Sequence, residues 1–340
     1  MHPGPVVGSP PLTRRVRLQR SELAVPATRP HFFEKAAASA ADAVFLDLED
    51  AVAPAHKAQA RAQAIQALNG VDWGARTVAV RVNGLDTPWA LEDIVEVARR
   101  APRLDLILLP KAGSAFDVQF VDQLLTLVER ENPALRGVRG PIGLEVLIES
   151  ARGVANAEAI AAASPRLEAM IFGVGDYTVD LGTRDAVFGR PSARYAVLTD
   201  PQPDGSRPAH WNDQWHFALA RIANACRAHG LRPVDGPYTD FRDEAGYRAC
   251  AQRAAALGFE GKWAIHPSQI AAANEVYSPS PQELQWAQRV RELLARTTAE
   301  GQGAVADAGT LVDMAHLKLV EQIEQRQALI RARGGALGAP

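Results

Sequence analysis

Three carboxylates stand out by type and spacing: Glu145 and Glu149, four residues apart in IGLEVLIES, and Asp176 in FGVGDYT. Both runs are apolar enough to read as strands, so the acids arrive at neighbouring strand ends with helix-forming sequence between them. Side chains alternate along a strand, which puts Glu145 and Glu149 on one face. Gly173 and Gly175 lower the bulk just before Asp176. Hard oxygen donors suit a divalent ion such as magnesium, which takes one or two protein carboxylates and keeps several waters. Acids at strand-to-helix junctions also serve as solvated helix-entry residues, and these three taken alone would be read that way.

The other expected strand ends change that balance. Ser21 to Val25, Ala43 to Leu48, Thr77 to Val82, Leu104 to Leu109, Ile142 to Ile148, Ala169 to Val174, Leu231 to Val234 and Gly261 to Ile265 are short apolar runs separated by alanine-rich, helix-period segments. Eight such units over roughly 250 residues predict an α/β fold of the TIM (β/α)8 type, whose chemistry sits at the C-terminal strand ends. There lie Asp47 with Glu49 and Asp50, Arg81 and Asn83, Lys111, Glu145 and Glu149, Asp176, Asp235 and His266. A doubly wound sheet is the alternative, but no glycine-rich dinucleotide fingerprint supports it.

Around the barrel, expected over 20–269, the chain divides further. Residues 1–19, rich in Pro and Arg, read as a disordered leader, neither signal peptide nor membrane span. Leu181 to His216 reads as an ordered, functional insertion because of its aromatics. Residues 270–340 read as a helical lid whose stripe Leu311, Met314, Leu317, Val320 and Ile323 must dock on its own barrel or a neighbour's. A chain of 340 residues with net charge −2 and 47% hydrophobic residues describes a soluble globular protein without global attraction for nucleic acid. Cys226 and Cys250 lack metal-ligand spacing and read as buried thiols in a reducing cytoplasm.

Arg81, at the end of an apolar strand, needs anions to offset its burial. Glu49 and Asp50 can supply them, as can a substrate carboxylate or a developing enolate; a strand-bridging Arg–Asp network is an equal alternative. His266 reads as a loop histidine, and no imidazole metal site is expected. Lys111 is weighed as a Schiff-base lysine and assigned to a solvated loop instead. Arg20, Arg29, Lys35, Lys57 and Arg61 form a basic group over the first unit. Arg29 and Lys35 bracket the start of the first helix, expected over His31 to Ala41, whose N-terminal amides favour an anion, so a phosphate-bearing ligand could rest there.

The ordered motifs SELAVPATRPHFF, FLDLEDAV, VRVNGLDTP, LPKAG, EVLIESARG, FGVGDYTVDLG and FEGKWAIHPSQI resemble the citrate lyase β-subunit and malyl-CoA lyase superfamily, from about Arg20 to about Gln322. The HWNDQWHF stretch and VLTDP loop resemble malyl-CoA lyases that also take β-methylmalyl-CoA or citramalyl-CoA. This implies reversible cleavage of malyl-CoA or β-methylmalyl-CoA to acetyl-CoA or propionyl-CoA plus glyoxylate, with Mg2+ or Mn2+, in a homotrimer or homohexamer whose lids cover neighbouring sites. The resemblance chooses Glu149 over Glu145 and pairs it with Asp176 as metal ligands. It gives Arg81, Gly175 and Asp176 to the substrate, Glu49 and Asp50 to the metal's surroundings, Arg29 and Lys35 to CoA, and Ile265 and His266 to the acyl arm. Asp313, in TLVDMAHLK, matches a lid aspartate acting as acid or base. Ala24 stands where some relatives carry an aromatic near the CoA adenine, a departure from the family's pattern. The competing readings are a citramalyl-CoA lyase, a malate synthase-like enzyme, a malyl-CoA thioesterase, a CoA-free pyruvate aldolase, and a non-catalytic CoA-ester-binding subunit.

Overall fold

Short buried runs pair in parallel and close on themselves. In a computed structural model, which describes residues 15–133, 140–299, 301, 303–307 and 309–337, the strands are β1 (Ser21–Pro26), β2 (Ala43–Asp47), β3 (Thr77–Arg81), β4 (Leu106–Leu109), β5 (Gly143–Ile148), β6 (Leu167–Phe172), β7 (Ala196–Leu198), β8 (Ala209–Trp211), β9 (Arg232–Asp235) and β10 (Gly261–Ala264). Eight of them form a closed barrel in the order β1-β10-β9-β6-β5-β4-β3-β2, while β7 and β8 make a separate hairpin in the expected insertion. Each barrel strand lies within two residues of its expected bounds. The helices around them are α1 (Phe33–Ala38), α2 (Lys57–Gly70), α3 (Ala90–Arg100), α4 (Ala115–Glu131), α5 (Ala151–Ala155), α6 (Ala157–Ala161), α7 (Val174–Asp180), α8 (His216–Ala228), α9 (Glu244–Ala256) and α10 (Ile270–Val276).

Local sequence explains these elements. Helix α4 starts where Ser114 and Asp117 close a capping box, and it buries Val118, Val121, Leu125 and Val128 at helical spacing. The barrel interior is filled by Phe45, Leu106, Leu108, Leu147, Ile171 and Trp263 among others. Burying a ring such as Phe45 stabilises by roughly 1.5–3 kcal/mol. Beneath this layer, at the N-terminal strand ends, buried ions replace apolar packing: Arg232 reaches Glu145 at 3.3 Å and Glu168 at 3.2 Å, and Arg17 pairs with Glu168 at 2.7 Å.

That floor includes part of the expected leader. Residues 1–14 lie outside the described residues, but Arg17 and Gln19 are built into the ion network, Gln19 being almost fully buried. The ordered chain therefore starts ahead of residue 20. The expected boundary at 270 also moves, because α10 packs on β1, β10 and α9 as the barrel's eighth helix. The appendage begins with α11 (Pro281–Ala299). A hairpin follows, β11 (Ala304–Asp307) and β12 (Thr310–Asp313), then α12 (Met314–Leu337). Ala287, Val290, Leu294, Val312 and Val320 make a small core between them. Farther along α12, Arg326 donates to the Tyr277 carbonyl at 2.7 Å and Arg333 pairs with Asp42 at 2.9 Å. Asp42 immediately precedes β2, so the end of α12 is fastened to the N-terminal end of its own barrel. Among the described residues no helix is long and apolar enough to cross a membrane.

Candidate active site

Glu149 follows directly on β5, and the peptide N–H of Lys111 donates to its Oε1 at 2.7 Å. Burial, joined by the charges of Glu49 and Asp176, pushes the Glu149 carboxyl up to about 8, against the opposing pull of Arg81 and the Lys111 N–H. Gly173 makes room for it: a Cβ there would lie 2.4 Å from the Glu149 Cβ and 2.5 Å from Oε2. Asp176 sits in the first turn of α7, raised by burial and then by Asp50. Gly175 faces the Phe188 ring, which would lie 3.4 Å from an added Cβ. Glu145 is elsewhere. It shares the parity of Glu149 but lies deeper by four residues, about 13 Å at ~3.3 Å per residue, where Arg232 pairs with it.

The loop after β2 supplies the rest. Asp47 accepts two bonds from Arg81, each 2.7 Å, and binds β2 to β3 across their register. Glu49, almost fully buried, lies 2.9 Å from Arg81 Nη1, and the more exposed Asp50 lies 3.6 Å away. Burial works against the Arg81 charge, but Asp47, Glu49 and Asp50 together hold its pKa well above the ordinary value. Its guanidinium also lies 5.7 Å from the Phe45 ring centroid and 5.6 Å from that of Trp263. The strand-bridging Arg–Asp network is therefore present, made by Asp47, and Glu49 and Asp50 also offset the charge. One edge braces strands and Nη1 faces the acids of the site.

Lys111 lies in the exposed loop after β4, as expected, but its side chain turns toward the site, with Nζ 3.2 Å from Glu49 Oε1 and 3.9 Å from Asp176 Oδ2. Burial opposes its charge, yet Glu49 and Asp176 outweigh it and raise the pKa. Lys57, read from sequence only as part of a basic group, donates to the carbonyls of Leu48 at 2.8 Å and Glu49 at 2.7 Å and so shapes the acid loop. Arg20 pairs with Asp42 at 2.8 Å, and Arg61 with Asp93 at 2.8 Å and Glu92 at 2.7 Å. Of the basic group, Arg29 and Lys35 remain exposed. Lys35 lies inside the first helix, Phe33–Ala38, which is only six residues long, so any anion attraction there rests on the side chains more than on a helix terminus.

Ile265 and His266 follow β10. Ile265 is partly exposed, and His266 Nδ1 lies 2.8 Å from the Ser268 hydroxyl while its ring stacks on Phe241 at 4.8 Å. Asp313 is the last residue of β12. Its Oδ1 accepts from the Ala315 N–H at 2.9 Å and lies 2.9 Å from His316 Nδ1, whose bond keeps the carboxyl below its usual range. Among the described residues no hydrogen bond or ion pair joins Asp313 to Glu149, Asp176 or Arg81.

A cavity of about 510 Å³ opens here, lined by Pro110, Lys111, Glu149, Ser150, Arg152 and Asp176 among others. Among the described residues no three His, Cys, Asp or Glu side chains form a complete metal cage. The donors converging on the cavity are carboxylate oxygens, and the most buried of them resists ionisation beside two other acids. That chemistry fits a hard divalent cation held by two carboxylates, with its remaining positions open to water or substrate oxygens.

Residues 20–267 match the family described as HpcH/HpaI aldolase/citrate lyase. The chain belongs to that family. It is 47% identical over 317 residues, 93% of this chain and 96% of the relative, to the L-malyl-CoA/beta-methylmalyl-CoA lyase of Cereibacter sphaeroides. It is 36% identical over 317 residues, 93% of this chain and 97% of the relative, to a (3S)-malyl-CoA thioesterase of the same species. The crystal structure of protein CitE from Mycobacterium tuberculosis, in complex with magnesium, acetoacetate and coenzyme A, is similar with a TM-score of 0.67 at 32% identity, covering 91% of this chain and 98% of that one.

The tight approach of Gly173 to Glu149 gives a direct test of the site. In Gly173→Ala the added methyl displaces the carboxylate, and magnesium affinity measured by calorimetry falls roughly 10–100-fold, the scale of losing a group that orients a ligand. Unchanged affinity would remove Glu149 from the metal site.

Proposed function

We propose that this protein is a divalent-metal-dependent carbon–carbon lyase that reversibly cleaves malyl-CoA or β-methylmalyl-CoA to acetyl-CoA or propionyl-CoA plus glyoxylate. The observation that carries the proposal is the convergence of Glu149, Asp176, Glu49 and Arg81 at the C-terminal mouth of the barrel, in a chain 47% identical to a lyase of that name.

Glu149 and Asp176 would hold magnesium or manganese, which would supply Lewis-acid polarisation of the oxygen on the carbon that becomes the glyoxylate carbonyl. The other roles belong to this chain's own groups. Cleavage moves the electron pair of the Cα–Cβ bond onto the thioester as an enolate, while the hydroxyl oxygen gives up its proton to the Asp313 carboxylate and becomes the glyoxylate carbonyl. Arg81, with its Nη1 turned to the acids of the site, supplies positive charge for the developing enolate. Glu49 and Asp50 keep Arg81 in place. Gly175 and Asp176 lie at the start of α7, a position suited to a small carboxylate. Arg29 and Lys35 meet the CoA phosphates, and Ile265 and His266 flank the acyl arm.

Asp313 delivers the proton to the enolate carbon, or removes it in the condensing direction. Its own α12 is fastened to the far end of the same barrel, and Leu311 and Met314 beside it are exposed apolar residues. These features support a lid that closes on a neighbouring subunit of a homotrimer or homohexamer. The two buried free cysteines suit a cytoplasmic location.

The thioesterase relative supports a second reading, in which water reaches the thioester. Malyl-CoA separates the two. A lyase releases glyoxylate and acetyl-CoA with no free thiol, whereas a thioesterase releases malate and free CoA. Thiol without glyoxylate would overturn the lyase assignment.

A further inference from the structure

Lys111 has an uncommon backbone. Its φ is +56°, the sole positive value for a non-glycine among the described residues. This left-handed conformation favours glycine, and a larger side chain adopts it at a cost that the surroundings must offset. The conformation aims the Lys111 N–H at Glu149 Oε1, 2.7 Å away. Glycine would hold that N–H with less strain, so the lysine side chain has to be explained separately. Its ammonium lies 3.2 Å from Glu49 Oε1 and 3.9 Å from Asp176 Oδ2, on the wall of the cavity.

We infer that Lys111 is a positioning residue that limits metal affinity: its backbone orients Glu149 while its ammonium competes with the divalent ion for Asp176. The inference rests on Glu149 and Asp176 being the metal ligands. An ion bound to Asp176 becomes a like-charged neighbour of Nζ, and within a partly buried site that repulsion is far from screened. One residue thereby assembles the site and keeps the ion from binding too tightly. The ammonium, pushed off Asp176 by the ion, remains on the cavity wall where the carboxylate of a small oxo-acid would be its new partner.

Magnesium titration by calorimetry, without substrate, tests this. Lys111→Met is expected to bind magnesium at least about tenfold more tightly than the wild type. Lys111→Gly, which also relieves the positive φ, should do the same, and Lys111→Arg should stay near the wild type. Equal or weaker binding in both neutral variants would overturn the inference, showing that the ammonium supports the acid cluster and does not compete with the ion. A wild type that binds no magnesium would instead refute the metal assignment itself, so the two failures are distinguishable.

Discussion

Glu149→Gln is expected to lose metal-dependent turnover by roughly 10³-fold or more, the scale of removing a group that organises transition-state charge, while the barrel still folds. The amide keeps the shape beside Gly173 but removes the charge that attracts the ion. The pH dependence follows from the same group. Its carboxyl is pushed up to about 8 by burial and by the neighbouring Glu49 and Asp176 charges, whereas in the unfolded chain it ionises near ~4.3. Between those values the folded protein binds the extra proton, so this group's contribution to stability is fullest at low pH and is lost as pH rises through the folded value. Without divalent ions, Glu149→Gln should therefore melt above the wild type at pH 8, with the gap closing toward pH 5. Added magnesium should raise the wild-type melting temperature more at pH 8 than at pH 6, and leave the variant unmoved. A Glu149→Gln enzyme active in excess chelator would rule out the proposed metal site.

Asp313→Ala is expected to lower kcat by roughly 10²–10⁴-fold, the usual contribution of a positioned acid or base, with acyl-CoA binding retained. The sharper form of the experiment mixes this variant with Glu149→Gln, each inactive alone, and lets subunits exchange. If the tail closes on a neighbour, hybrid assemblies contain sites with an intact Glu149 facing a lid with an intact Asp313, and activity returns. If the tail serves its own barrel, every site lacks one of the two residues and the mixture stays dead. The anchoring of Arg326 and Arg333 at the N-terminal end of the barrel leads us to expect recovery. Binding without turnover in the wild type as well would favour a CoA-ester-binding subunit.

The eight barrel strands were legible because buried parallel strands demand short, continuous apolar runs, and such runs survive in the sequence as a pattern. Depth along a strand was not legible from period alone. Glu145 and Glu149 share one parity; the motif resemblance chose between them, and the closed barrel gives the reason, placing one acid in the floor ion network and the other at the mouth. Charge was misleading for a similar reason: Arg20 and Arg61 face Asp42, Asp93 and Glu92, partners contributed by other units that no local window contains. The boundary at 270 assigned the barrel's eighth helix to the appendage, although the SPSP turn at Ser278 to Pro281 carried the better signal for where the appendage starts. Lys111 depends on a backbone angle that tertiary contacts impose and that residue type argues against. Asp313 was found through its motif, and one chain alone brings it only local partners.

A protein that makes and breaks a carbon–carbon bond with a divalent metal should show it in the condensing direction in a single reaction. Purified protein incubated with glyoxylate and either acetyl-CoA or propionyl-CoA, with and without magnesium, should yield malyl-CoA or β-methylmalyl-CoA by mass only when the metal is present. Free CoA with malate would point to a synthase or thioesterase, and no new thioester from either donor, with turnover of pyruvate instead, would contradict the account.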